Sequence, residues 1–175
     1  MDTTYDVVLW ICGIVFITFT FVIAFGAPFL PTLKARVPEA LDLSGLKAGD
    51  TLIELGSGDG RILRAAAERG INAIGYELNP LLVVYSKIVN IKYRNKVKII
   101  WGDYWRKQWP EAQGIFVFLL QPYMQKLDTK ITQNYPKGIA LVSFAFTIPN
   151  RKPNKESNGL YLYRYPRKQL KKTLQ

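Results

Sequence analysis

Three carboxylates and a run of glycines carry the chemistry that can be read in this chain. Residues 51–61 read Thr-Leu-Ile-Glu-Leu-Gly-Ser-Gly-Asp-Gly-Arg, with Gly56, Gly58 and Gly60 at alternate positions and Glu54 two residues ahead of the first. Glycine takes positive φ without steric cost and has no Cβ, so such a turn can press its backbone amides against a ligand. A pyrophosphate-binding turn is spaced G-x-G-x-x-G, which this is not. A carboxylate at Glu54 would also repel phosphates and attract an ammonium or sulfonium group instead. Glu77 follows Gly60 by 17 residues, where an acid can accept from both hydroxyls of a ribose. Asp103 can accept from an adenine amine, with Tyr104 or Leu78 against the ring. Any one of these acids, taken alone, reads better as a helix cap or a solvated loop carboxylate. Together, at matched positions, they describe a crevice for a cationic nucleoside.

Such a crevice needs a scaffold that gathers strand ends. Residues 52–55 suit a buried strand, and Ile62, Leu63, Ala65 and Ala66 recur at helical spacing up to Gly70. Residues 72–76 read as a second strand, and Pro80 suits the first turn of a helix continuing over 81–93. A third strand is expected over 96–101, then an aromatic loop over 104–110. The wholly apolar run 114–120 fits a central parallel strand covered on both faces. A helix opening at Gln121-Pro122-Tyr123 should reach Asn134, with a fifth strand over 139–146, a polar mobile stretch over 151–159 and a late strand over 160–165. This alternation predicts an α/β, Rossmann-like, doubly wound and mostly parallel sheet. In such sheets ligands lie beyond the carboxyl ends of the strands, where Glu54, Glu77 and Asp103 fall.

The chain is unevenly charged. All 24 Lys and Arg lie at or after Lys34 with only 11 of the 13 acids, leaving +13 on the part after Leu33. That favours anionic partners, or serves solubility beside a membrane. There is no histidine, which excludes imidazole as base or ligand, and Cys12 is the only cysteine. No metal site and no intrachain disulfide are expected. Residues 7–27 carry no charge, and as a helix they would span about 31 Å, close to the hydrocarbon thickness of a bilayer. A basic n-region is missing, so an uncleaved single-pass transmembrane anchor is expected rather than a signal peptide. Asp2 and Asp6 precede it and Lys34 and Arg36 follow, which places the remainder on the cytoplasmic (or matrix) side. Pro28, Pro31 and Pro38 suggest a stiff connector, with a short helix over 39–46. Two units follow: an anchor and connector over 1–33 and a catalytic domain over 34–175.

The segment Glu54–Arg61 resembles motif I of the class I (seven-strand) S-adenosylmethionine methyltransferases. With Gly-Tyr-Glu-Leu-Asn-Pro at 75–80, Gly-Asp-Tyr-Trp at 102–105 and the apolar N-terminus, the chain is similar to the membrane-anchored protein-lysine methyltransferases of the adenine nucleotide translocase and ATP synthase c subunit type. The resemblance covers roughly residues 28–146. It implies S-adenosylmethionine as cofactor, held by Glu54, Gly56, Ser57, Gly58, Asp59, Gly60, Glu77, Leu78, Asn79, Asp103 and Tyr104. It also implies a protein substrate with a lysine acceptor. Gln121-Pro122-Tyr123 stands where amino-methylating enzymes often carry Asn/Asp-Pro-Pro-Tyr; Gln121 and Tyr123 are the expected groups that orient the acceptor, and nucleic acid is disfavoured. Only one clear strand follows Phe146 where two are usual, so a sheet trimmed at its C-terminal edge is expected. A lipid or quinone methyltransferase, or a non-catalytic basic module binding anionic lipid or RNA, are the alternatives.

Overall fold

The computed structural model describes residues 3–25 and 32–166. One sheet organises the chain. Its strands are β1 (Thr51–Leu55), β2 (Asn72–Glu77), β3 (Val97–Trp101), β4 (Gly114–Val117), β5 (Ile139–Phe144), β6 (Lys155–Ser157) and β7 (Leu160–Tyr165), in spatial order β3-β2-β1-β4-β5-β7-β6. The first five are mutually parallel, and β7 runs antiparallel to both its neighbours, β5 and β6. Chain order reverses between β1 and β4, so the switch point lies at the carboxyl end of β1, where the glycine turn begins.

The strands alternate their side chains between two cores, as a pleat with period two requires. Leu52, Ala73, Phe116, Val142 and Leu162 face helices α2 (Arg36–Ser44), α3 (Arg61–Glu68) and α4 (Pro80–Val89). Ile53, Leu55, Tyr76, Val117, Leu141 and Tyr163 face the other way, onto α5 (Gln121–Asn134) and the aromatic loop with Trp109. Glu54 keeps the parity of Leu52, so it sits on the α3 side at the end of an otherwise apolar strand.

Three expectations are corrected. Residues 155–157 pair with β7 as the edge strand β6, so 151–159 is not a mobile loop throughout and two strands follow Phe146. The sheet is therefore complete at seven strands, not trimmed. The signal was weak because Lys155-Glu156-Ser157 is polar, with only Ser157 half-buried, and a short edge strand gains its order from a distant partner. Helix α2 begins at Arg36 and includes Pro38, three residues earlier than expected. Proline is tolerated there because first-turn amides have no partner within the helix.

Helix α1 is Thr3–Phe25, with side chains described for residues 4–17 and Thr20. Those of Val7, Leu9, Trp10 and Phe16 are exposed. Among the described residues no helix is long and apolar enough to cross a membrane, so the expected anchor finds no support in them. Residues 26–31 of the expected connector, and the chain beyond Pro166, lie outside the described residues.

Candidate functional site

The glycine turn leaves β1 through three residues at positive φ, Gly56 (81°), Gly58 (52°) and Gly60 (73°). The amides of Gly56 and Ser57 both donate to the carbonyl of Tyr76, at 2.9 Å, which hooks the turn over β2. A Cβ on Gly56 would meet nothing within 4 Å, so its open side faces the crevice. A Cβ on Gly60 would meet the Ser86 hydroxyl and, at 2.6 Å, Asn90 Nδ2; this glycine lets α3 and α4 close together behind the turn.

Glu77, at the end of β2, is buried and braces the turn. Its Oε2 accepts from the Gly58 amide and its Oε1 from the Asn79 amide, both at 2.8 Å. Each carboxylate oxygen has a second lone pair, so the group can still receive hydroxyl protons. Asn79 is buried too, but its Oδ1 caps α4 by accepting from Leu81 and Leu82. Its carboxamide is thus used in the fold, the cap role that an Asn before Pro80 also suits. Leu78 is half-buried, and its carbonyl accepts from Trp101 Nε1 at 3.0 Å.

Glu54 is the anomaly. Its side chain is buried and Oε2 has no hydrogen-bond partner; the buried Ser57 hydroxyl is likewise unpartnered. Burial pushes the carboxyl well above its ordinary range, and the negative charges of Asp59 and Glu77 push the same way. Arg61 opposes them more weakly. Left alone, Glu54 holds a proton; a cation placed beside it would favour the carboxylate. Asp59 has no such vacancy, because Arg61 grips it through Nε at 3.0 Å and Nη2 at 2.8 Å. That fork keeps the Asp59 carboxyl below its ordinary value even though burial opposes it. Arg61 Nη1 also donates to the carbonyl of the buried Thr32 at 2.7 Å, which straps the segment entering the domain onto the turn. No local pattern announces a contact across 29 residues.

The third wall is aromatic. Asp103 accepts from the Trp105 amide at 2.8 Å and has Arg106 at 3.6 Å. The rings of Tyr104 and Trp105 lie 4.9 Å apart, and Trp105 and Tyr123 6.4 Å. Burial raises the Tyr104 phenol well above its ordinary value, so it stays protonated and can donate. From α5, Lys130 donates to the carbonyls of Trp105 (2.7 Å) and Lys107 (3.2 Å) and stands 4.9 Å over Trp109. Nothing in the residue pattern marks this lysine as the one that holds the loop. Gln121 is exposed at the start of α5, its Nε2 donating to the Thr147 carbonyl at 3.0 Å. The structure therefore gathers Glu54, Glu77 and the glycine turn at one rim, with the expected aromatic residues on the loop and helix that follow.

Residues 54–155 match the family model described as the ANTKMT methyltransferase domain. The chain belongs to this family. It is 29% identical over 129 residues to the human lysine N-methyltransferase of the ATP synthase c subunit, covering 73% of this chain and 55% of that protein. With the mouse adenine nucleotide translocase lysine N-methyltransferase it shares 31% over 135 residues, covering 72% and 56%. It thus spans about half the length of these curated relatives. Among solved structures it is similar to an RNA methyltransferase from Salinibacter ruber in complex with S-adenosyl-L-homocysteine. The TM-score is 0.72 at 30% identity, over 81% of this chain and 97% of that one. The fold of this family member is the seven-strand class I methyltransferase fold.

Proposed function

We propose that this chain is an S-adenosylmethionine-dependent methyltransferase that methylates lysine side chains of a protein substrate. We propose further that its N-terminal segment anchors it in a membrane, single-pass, with the catalytic domain on the cytoplasmic (or matrix) side. The observation that carries the enzymatic reading is the orphaned carboxyl of Glu54 beside an open glycine turn. A buried acid without a partner is costly, and a ligand bearing an ammonium group would relieve that cost. The residues fit the cofactor: Glu54 and the turn would hold its cationic amino-acid end, Glu77 its ribose, and Asp103 with Tyr104 and Leu78 its adenine. When bound, the cofactor supplies an electrophilic methyl group on a sulfonium.

The remaining chemistry belongs to the protein. An acceptor lysine has an unperturbed pKa of about 10.4 and must arrive as neutral amine. Enclosure by Tyr104, Trp105 and Tyr123 disfavours its charged form, while ring faces can hold it as it enters. The Gln121 carbonyl oxygen and the Tyr123 hydroxyl can accept the amine's hydrogens and aim its lone pair. Much of the rate then comes from alignment rather than a dedicated base. The names of the human and mouse relatives favour lysine as acceptor. A second reading, an RNA acceptor, is favoured by the name of the Salinibacter structure and by the basic charge.

Labelled S-adenosylmethionine incubated with the protein and a membrane extract separates these. Label recovered as methyl-lysine after protein hydrolysis is the expected result. Label in nucleosides would replace the acceptor class with RNA, and label in the organic extract would replace it with lipid or quinone. The anchor is tested apart, by alkaline extraction of the membranes: the full chain stays with the lipid, and release into the supernatant would remove the anchor from the account.

A further inference from the structure

Helix α4 is built inside out. Its buried positions are Val83, Ser86 and, at its C-cap, Asn90, so much of its inward face is polar. Its outward positions are Leu81, Val84, Tyr85 and Ile88, and the 3₁₀ turn Ile91–Tyr93 adds Ile91. These side chains range from 46% exposed at Leu81 to 64% at Ile91. Trp101, 61% exposed, joins them, its indole tied to the Leu78 carbonyl that leads into the helix. Beyond Leu33, Tyr123 is the one other large apolar side chain exposed among the described residues, so the apolar surface is concentrated here. Apolar side chains at i, i+3, i+4 and i+7 on the solvent side are an interface, not a core.

Charge says what covers it. Residues 78–102 contain Lys87, Lys92, Arg94, Lys96 and Lys98 and no acidic residue. Glu68 reaches this segment from α3, accepting from the Tyr93 hydroxyl at 2.8 Å. A second copy docked face to face would set these cations against themselves. An RNA would leave the apolar stripe unsatisfied. An apolar helix face flanked by lysines, with Trp and Tyr beside it, matches the boundary between anionic headgroups and acyl chains.

We propose that the outer face of α4, with Trp101, docks on the surface of an anionic lipid bilayer. The site is independent of whether α1 spans that bilayer, and of the acceptor class. Since α4 starts at the Glu77–Asn79 rim, docking sets one wall of the crevice beside the lipid. It would limit acceptors to those presented at the membrane surface.

The test uses the full chain with Cys12→Ser, carrying an environment-sensitive fluorophore at Ile88→Cys, or at Gln125→Cys on α5 as control. The variants are reconstituted in phosphatidylcholine vesicles with or without phosphatidylglycerol and with spin-labelled lipid as quencher. The label at 88 is expected to be quenched when phosphatidylglycerol is present, and the label at 125 to stay in water. Adding Lys92→Gln should lower the docked-to-free ratio at 88 by about fivefold. Should Ile88→Cys fail to retain the parent's melting profile, Tyr85→Cys carries the same label. An unquenched label at 88 in anionic vesicles, or equal quenching at both sites, overturns the proposal. So does shielding of 88 that grows with protein concentration without lipid, which would mark a second copy, or that requires added RNA or protein.

Discussion

Glu54 holds the free energy that the fold leaves uncompensated. Its raised pKa means the folded apoprotein binds a proton that the unfolded chain releases above the ordinary glutamate value. Stability therefore falls as pH rises from about 4.3 toward the elevated folded pKa. Glu54→Gln removes that dependence and gives a melting temperature at neutral pH equal to or above that of the parent. The same variant should bind S-adenosylmethionine at least about tenfold more weakly, through loss of a charge-assisted contact. In the parent that affinity should climb as pH rises toward the raised pKa of free Glu54, a slope absent from the variant. Calorimetric titration across pH checks both; a variant that melts lower and binds normally would make Glu54 a structural acid. Gly60 tests the turn differently. Alanine there meets Ser86 and Asn90 at a φ of 73°, and should cost at least about 2 kcal/mol in chemical denaturation. Gly56→Ala carries only the strain of its φ of 81°, about 1 kcal/mol of stability.

At the scale of elements, the parallel strands position the acids and the loops finish the site. The aromatic loop after β3 is held from α5 by Lys130, whose ammonium is drawn below its ordinary pKa by burial. Lys130→Met keeps an apolar stem but removes the ammonium over Trp109 and both hydrogen bonds to the loop. The amides of residues 103–109 should then exchange about tenfold faster, with those of β1 and β4 unchanged. Unchanged exchange in the loop would show that Trp109, Tyr135 and their carbonyl partners suffice to hold it. What the sequence could and could not tell follows the range of the forces. Strands β1 to β5 and helices α3 to α5 were legible because apolar periodicity and Gly or Pro boundaries are local. Edge strand β6 was not, since Lys155-Glu156-Ser157 acquires meaning only in register with Tyr161 of β7. The Arg61–Thr32 strap and the Lys130 brace join residues 29 and 25 apart and had no local signature. At the site, residue types located the acids and the turn, whereas the use of Asp59 and Asn79 within the fold needed the hydrogen bonds.

Taken whole, the domain gathers its acids and glycine turn on one rim and its exposed apolar side chains beyond Leu33 mainly on one flank. The switch point sets Glu54 and the glycine turn between β1 and β4, with Glu77 one strand over and Asp103 following the next. Arg61 ties Thr32 to the same turn, so the start of the domain abuts the glycine turn rather than the far end of the sheet. The exposed apolar face of α4 begins beside that rim. The most direct measurement is calorimetric titration of S-adenosylmethionine into the full chain and into Glu77→Ala. One site is expected in the parent, and at least about a tenfold loss in a variant that still melts cooperatively, since two hydrogen bonds to a charged acceptor disappear. Undiminished affinity in Glu77→Ala, or no binding by the parent, would contradict it.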